Sequence, residues 1–477
     1  MSEGPDQLSS ADMSSLLDER GPIHVHVGGT AIFAGEPPPF DEVLAHVGDR
    51  LELIPRFRRR VRWLPGKILR AEWEDDPDFD LARHVRHVAL PSPGDDDQLR
   101  DLVGRVMSEP LDQARPLWQL YLVERCGAGG AGADSGFAAI SKTHHALVDG
   151  VSAIDVGAII LDPDPEGTDL GLSGAEWTPK VRRTETVIAE RVFDARRRLF
   201  GMPREAARRA LDLSAPQSAL KTAQGFLDLA RHSEPVRPTF INDEIGRDRR
   251  VAFAATTLAA LKAAAAEHDA TVNDVVLAIA TGALRRLFEQ RREAIPHEFS
   301  ALVPMSIRKP GEELALGNRI TTLIVPLPLD EADPDERLRR IHTTTARLKG
   351  SEAARAASLV IEASGWVPPT MSRVLGSIGS AGSATPVGRM VPQRLPWNLV
   401  ISNVPGPPMP VYLLGRRLES IHPFVPLSPQ RRALSIGVIS YDGGLYFGFV
   451  GDRDRISDLD RLAGFVDAEL AALGAKS

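Results

Sequence analysis

Cysteine is nearly absent, with one residue, Cys126, in a chain of 477. A single thiol excludes an internal disulfide and a thiolate metal site. Cys126 sits beside the glycine-rich stretch GAGGAGADSG, with no activating partner near it in sequence, which argues against a thiol nucleophile. Long apolar runs are also missing. None reaches the roughly 18 residues that a membrane span needs. The opening MSEGPDQLSSADM is polar and acidic, unlike a signal peptide. A cytosolic protein is expected, meeting any lipid from the water side. There is no basic excess either. The net charge is −7, and nucleic-acid binding needs a basic face to neutralise phosphate. No G-x-S-x-G elbow is present. The only G-x-G-x-x-G match noted, at Gly127, Gly129 and Gly132, precedes a strand pattern, so no helix N-terminus awaits a phosphate.

What is present suits a large core, since 43% of residues are hydrophobic and 25% charged; the length favours two domains. Residues 22–34 alternate as a strand, 40–59 carry an amphipathic helix closed by Pro55, and 96–109 form a second helix. YLVER (121–125) and FAAISKTHH (137–145) read as strands, and Ser152 with Asp155 starts a helix after them. A Pro, Gly and acid-rich linker follows near residue 162. From Lys180 to Arg237 there are 13 Lys/Arg against 7 Asp/Glu, a pattern for basic crossover helices that are solvated or drawn to an anionic surface. The second half opens with VAFAATT and LAALKAAAAEHD. A long helix comes next, with its apolar stripe at Val275, Val276, Ile279, Ala283 and Leu287, and later come SALVPMSI, ITTLIVPLPL, WNLVISNVPG and a final hairpin. Strands alternate with helices in both halves, so the fold class is α/β, with lobes at 1–165 and 241–477 and a linker at 166–240.

The chemistry centres on His144-His145-Ala-Leu-Val-Asp149-Gly150, at the end of a strand. Neighbours on a strand point to opposite faces. The two histidines therefore cannot grip one metal ion, and no metal site is expected. One should face open space and the other should pack. A neutral imidazole is the natural base for deprotonating a hydroxyl. Asp149 would hold the loop shape. Structural histidines at a strand end remain the competing reading. A second motif, Thr271-Val-Asn273-Asp274, opens the long helix. Thr271 and Asp274 form a capping-box pattern. Asn273 is a mediocre helix former, and its amide near a helix N-terminus could donate to developing negative charge.

Seven ordered stretches carry a resemblance: DPDFDLARHVRHVALPSPG, EPLDQARPLWQLYLVE, KTHHALVDGVSA, TVNDVVLA, VPMSIR, GN and ISNVPGP. With them the chain resembles the bacterial wax ester synthase/acyl-CoA:diacylglycerol acyltransferase family. The resemblance implies two chloramphenicol-acetyltransferase-like lobes with a tunnel between them. Acyl-CoA would be a co-substrate, with no cofactor, and the acceptor would be diacylglycerol or a long-chain alcohol. The protein would then attach peripherally to a membrane or lipid inclusion. His145 takes the role of catalytic base, with His144 beside it. Asp149 is mainly structural and pairs with Arg308. Asn273 and Asp274 match a motif required for activity. Gly150, Asp274, Ser402 and Asn403 are expected near substrate, the last two on a tunnel-lining loop. Pro116 and Trp118, in Pro116-Leu117-Trp118, are expected to pack beneath the active-site strand. The segment PIHVHVG departs from the family, with Ile23 before His24 where Met-His is usual. Three rivals stay open: another hydroxyl acceptor, an inactive lipid-binding homologue, and a peptide-forming condensation enzyme.

Overall fold

Apolar periodicity sorts the chain into two sheets and the helices that cover them. The computed structural model describes residues 7–8, 10–19, 21–64, 71–126, 136–147, 160–172, 177–183, 185–187, 239–306, 320–349, 397–427 and 431–474. In the first half lie α1 (Ser10–Asp18), β1 (His26–Phe33), α2 (Phe40–Arg50), β2 (Arg59–Arg62), β3 (Glu72–Asp75), β4 (Val85–Ala89), α3 (Asp96–Ser108), β5 (Trp118–Cys126) and β6 (Gly136–His144). The second half supplies β7 (Arg249–Thr257), α4 (Leu258–Glu267), α5 (Val272–Arg291), β8 (Ser300–Ser306), β9 (Ile320–Pro326) and α6 (Pro334–Lys349). It ends with β10 (Leu399–Pro405), β11 (Tyr412–Leu413), β12 (Arg416–Phe424), β13 (Leu434–Tyr441), β14 (Gly444–Asp452) and α7 (Leu459–Ala472).

One sheet has the order β11-β12-β1-β6-β5-β4, the other β7-β14-β13-β10-β8-β9, and β2 pairs with β3 alone. Both large sheets are mixed: β4 runs parallel to β5, and β10 parallel to β8 and β13, while the other pairs are antiparallel. The first core joins Val43 and Val47 of α2 to Phe33, Leu120, Leu122 and Phe137. The second wraps α5, whose predicted stripe Val275, Val276, Ile279, Ala283 and Leu287 is fully buried. Both α3 and α5 start on reciprocal capping boxes, Asp95 with Gln98 and Thr271 with Asp274. Such boxes satisfy two otherwise orphaned donors each.

One expectation needs correction. The helix predicted to run to Pro55 stops at Arg50 and is followed by a 3₁₀ turn, Pro55–Arg58. Proline has no N–H to offer the carbonyl of Leu51, so a helix cannot continue through it. The two sheets also exchange a strand. Strand β12, far into the second half, pairs antiparallel with β1, from Gly28↔Phe424 to Phe33↔Leu418. Glycine makes the crossing possible. Gly437 and Gly448 face each other across β13 and β14, and a Cβ on them would lie 3.0 and 1.9 Å from the Pro423 carbonyl oxygen. Only residues without a side chain let backbones approach that closely.

The halves also meet beside α3. Arg249, at the start of β7, donates from its backbone to Ser108 Oγ at 2.7 Å and from its guanidinium to the Pro22 carbonyl.

Candidate active site

Strand β6 delivers the histidine pair. Pairing places His144 opposite His26 and Lys142 opposite Gly28. The alternation of the strand sends Lys142 and His144 to one face and Ser141 and Thr143 to the other. Lys142 is fully buried and donates to the carbonyls of Val106, at 2.7 Å, and Glu109. Burial brings its ammonium down to about 8. On the opposite face, Ser141 and Thr143 line a small cavity with Val47, Leu51, Phe57 and Trp118. Pro116 is buried, and Trp118 is buried with its Nε1 donating to the Phe57 carbonyl at 2.8 Å. The Pro-Leu-Trp stretch is thus packed beside β6, where Trp118 pairs with Thr143.

Beyond β6 the chain turns tightly, and the histidines part company. His144 is fully buried, while the side chain of His145 is exposed. The His144 N–H donates to the Leu117 carbonyl at 2.9 Å, and the Leu147 N–H donates back to the His144 carbonyl at 2.9 Å. The Ala146 N–H donates to His144 Nδ1 at 3.0 Å. The His145 N–H donates to the Val25 carbonyl at 2.9 Å. His145 therefore stands on a clamped backbone, presented outward. Asp149, Gly150 and Arg308 lie outside the described residues.

Sequence reasoning missed the group beneath this turn. Glu19, just after α1, is buried to 7% side-chain exposure. Its Oε1 accepts from the Val25 N–H at 3.0 Å and lies 3.4 Å from His26 Nε2 and 3.3 Å from His144 Nε2. Its Oε2 accepts from Gln113 Nε2 at 3.2 Å. Burial alone would raise the Glu19 carboxyl, but His144, His26 and the Val25 N–H hold it below the ordinary carboxylate range. Burial also drives His26 down to about 3, so that ring is neutral. Glu19, His24 and His26 offer ligand-capable atoms within 4.8 Å of one another. A metal ion there would share the space with cationic side chains: after burial, Arg249 and then Lys142 depress His24. The cluster is better described as a carboxylate ringed by imidazoles and a buried ammonium. The sequence signal for it was faint, a lone Glu in DERG seven residues ahead of His26.

The second motif resolves into two roles. Asp274 is fully buried. Its Oδ2 accepts from the Thr271 N–H (3.0 Å) and hydroxyl (2.8 Å) and from His342 Nδ1 (2.9 Å), and its Oδ1 accepts from Thr345 Oγ1 (2.6 Å). Burial would raise its carboxyl, but Thr345, His342 and Thr271 hold it low. Both Asp274 oxygens are thus engaged inside the fold, one partner on its own helix cap and two on α6. Asn273 is different. Its Oδ1 accepts from Asn403 Nδ2 at 3.3 Å, while its own Nδ2 is buried without a hydrogen-bond partner among the described residues. Two motifs 130 residues apart meet here. Ser402 and Asn403 are not on a loop as expected. They are within β10, opposite Gly437 and Val438 of β13, because the parallel pairing continues through SNVP.

Comparison with known proteins fits this arrangement. Residues 8–276 match the model of the wax ester synthase/diacylglycerol acyltransferase catalytic domain, and residues 316–474 that of the family's C-terminal domain. The chain belongs to this acyltransferase family. Two Mycobacterium tuberculosis proteins, each named a probable diacylglycerol O-acyltransferase, are 30% and 33% identical to it. The first alignment covers 98% of this chain and 96% of the relative, the second 98% of both. The wax ester synthase/diacylglycerol acyltransferase of Marinobacter aquaeolei VT8 superposes with a TM-score of 0.66 at 25% identity, over 98% of both chains. A mutant starter condensation domain of rhizomide synthetase, in complex with C8-CoA and Leu-SNAC, gives a TM-score of 0.55 at 15% identity. It covers 98% of this chain and 94% of its own, a likeness of fold alone. Among the described residues of this acyltransferase no helix is long and apolar enough to cross a membrane.

Proposed function

We propose that the chain moves a fatty acyl group from acyl-CoA to the hydroxyl of diacylglycerol, giving triacylglycerol, with His145 as general base. The observation that carries this reading is the division of labour at the end of β6. One histidine is buried, and the next is exposed on a backbone pinned at 2.9 Å to Val25. The names of the mycobacterial relatives support diacylglycerol as acceptor. Both substrates meet in a passage between the lobes. His145 takes the hydroxyl proton, the oxygen attacks the thioester carbon, and the negative charge collects on the former carbonyl oxygen. The unpartnered Nδ2 of Asn273 suits that charge as a donor. Asn403, holding Oδ1, turns the carboxamide so that Nδ2 is left for the reaction. Collapse breaks the C–S bond, and His145 returns the proton to the thiolate. Ser402 lies along the substrate path. No resident cofactor takes part. The lipid is met at a membrane or lipid-inclusion surface, with the basic 180–237 stretch as the attracting charge.

A long-chain alcohol is the second acceptor, favoured by the likeness to the Marinobacter enzyme, whose name carries both activities. Coenzyme A release measured with diacylglycerol and with hexadecanol ranks the two. In the same assay His145→Ala should lose at least ~10²-fold in rate, the usual share of a general base, while keeping its fold. Retention of more than about a tenth of the wild-type rate would reject His145 as base.

A further inference from the structure

We propose that Glu19 is a positioning residue for acyl transfer, acting on His145 through two separate contacts. The inference rests on the reading of His145 as the base and names what holds it. The first contact runs through His144. Its Nδ1 accepts the Ala146 N–H at 3.0 Å, so in the neutral ring the proton sits on Nε2. Nε2 faces Glu19 Oε1 at 3.3 Å. A carboxylate there favours the tautomer that carries a proton toward it, and that tautomer leaves Nδ1 free to clamp the turn. The second contact runs through Val25, whose N–H donates to Glu19 Oε1 at 3.0 Å and whose carbonyl accepts the His145 N–H at 2.9 Å. That buried oxygen thus draws the ring on one side of His145 at ion-pair distance, outside hydrogen-bond geometry, and hydrogen-bonds the backbone on the other.

The surroundings keep Glu19 in this role. Val25 and Gln113 donate to it. The titratable groups facing it are His26 and His24 from the β1 side, and Lys142 and His144 from β6. A buried carboxylate with cationic and N–H neighbours stays ionised. Its geometry resembles the carboxylate that orients a catalytic imidazole, displaced here by one residue, so that the oriented ring is not the reacting one.

Nuclear magnetic resonance of the full chain labelled with ¹⁵N at histidine tests the tautomer directly. The His144 signal, assigned by its loss in His144→Gln, should show the proton on Nε2. A proton on Nδ1 overturns the proposal without any Glu19 variant. Steady-state kinetics test the consequence. Glu19→Leu should lower kcat roughly tenfold or more with KM for acyl-CoA within about twofold, since positioning affects the reacting geometry and not the ground-state binding. Glu19→Gln, which keeps an acceptor oxygen, should recover part of the loss. Unchanged kcat in folded Glu19→Leu overturns the proposal. If that variant does not fold, the wild-type tautomer and Glu19→Gln still decide. Should His145→Ala remain active while Glu19→Leu still shifts the His144 tautomer, the base assignment fails and the Glu19 contact survives.

Discussion

At the scale of single residues, Asn273 carries the clearest chemical prediction. Its oxygen is engaged by Asn403 and its nitrogen is a buried donor without a partner among the described residues. Leaving a buried donor unsatisfied costs free energy, and such a group is justified where charge develops in a transition state. Asn273→Ala should therefore reduce kcat by ~10²-fold or more, as removal of an oxyanion donor does, with little change in thermal midpoint. A stable variant of near wild-type turnover would remove Asn273 from the mechanism. Part of this scale was legible in advance. Strand alternation alone said that His144 and His145 face opposite ways, and the structure assigns burial to His144. Glu19 was not legible, because its role depends on Val25, His26, Gln113 and His144 arriving around it from three separate segments.

At the scale of elements, α5 shows a local motif put to a tertiary use. Thr271 and Asp274 form the capping box that their spacing predicted. Asp274 also receives His342 and Thr345 from α6, partners that no local pattern can announce. The same carboxylate starts one helix and docks another. Asp274→Ala would remove a cap and take the shared acceptor from Thr271, His342 and Thr345, and should destabilise the protein by about 2–4 kcal/mol. Urea unfolding should show this as a lower midpoint at unchanged slope. A midpoint equal to that of wild type would mean that α6 holds its place without Asp274. The loop at Ser402 and Asn403 is what the family resemblance implies, not what the residues of WNLVISNVPG suggest. Continued parallel pairing with β13 keeps Ser402 and Asn403 in a strand, where register sets which side chains reach Asn273.

At the scale of the whole molecule, the halves are tied together by exchange of a strand. β12 completes the first sheet on the open side of β1 while lying close over Gly437 and Gly448 of the second. β1 begins at His26, directly after Val25, so the platform under His145 depends on residues 416–424. A fragment of residues 1–240 should accordingly fail to give a cooperative thermal transition, because β1 would become an unpaired edge. A sharp calorimetric melt of that fragment would show that the first lobe is self-sufficient.

Sequence by itself determined the α/β class, most strand and helix positions, the cap of α5, the family, and the pair of histidines at the end of β6. These follow from short-range rules: apolar period, capping stereochemistry and strand alternation. Tertiary structure alone decided that β12 crosses to the first sheet, that Asn403 meets Asn273, that Asp274 is spent on α6, and that Glu19 sits beneath His145. Each of those contacts joins segments far apart in the chain. Their pairing is selected by burial and by the need to satisfy every buried polar group, and not by the residues beside them in sequence.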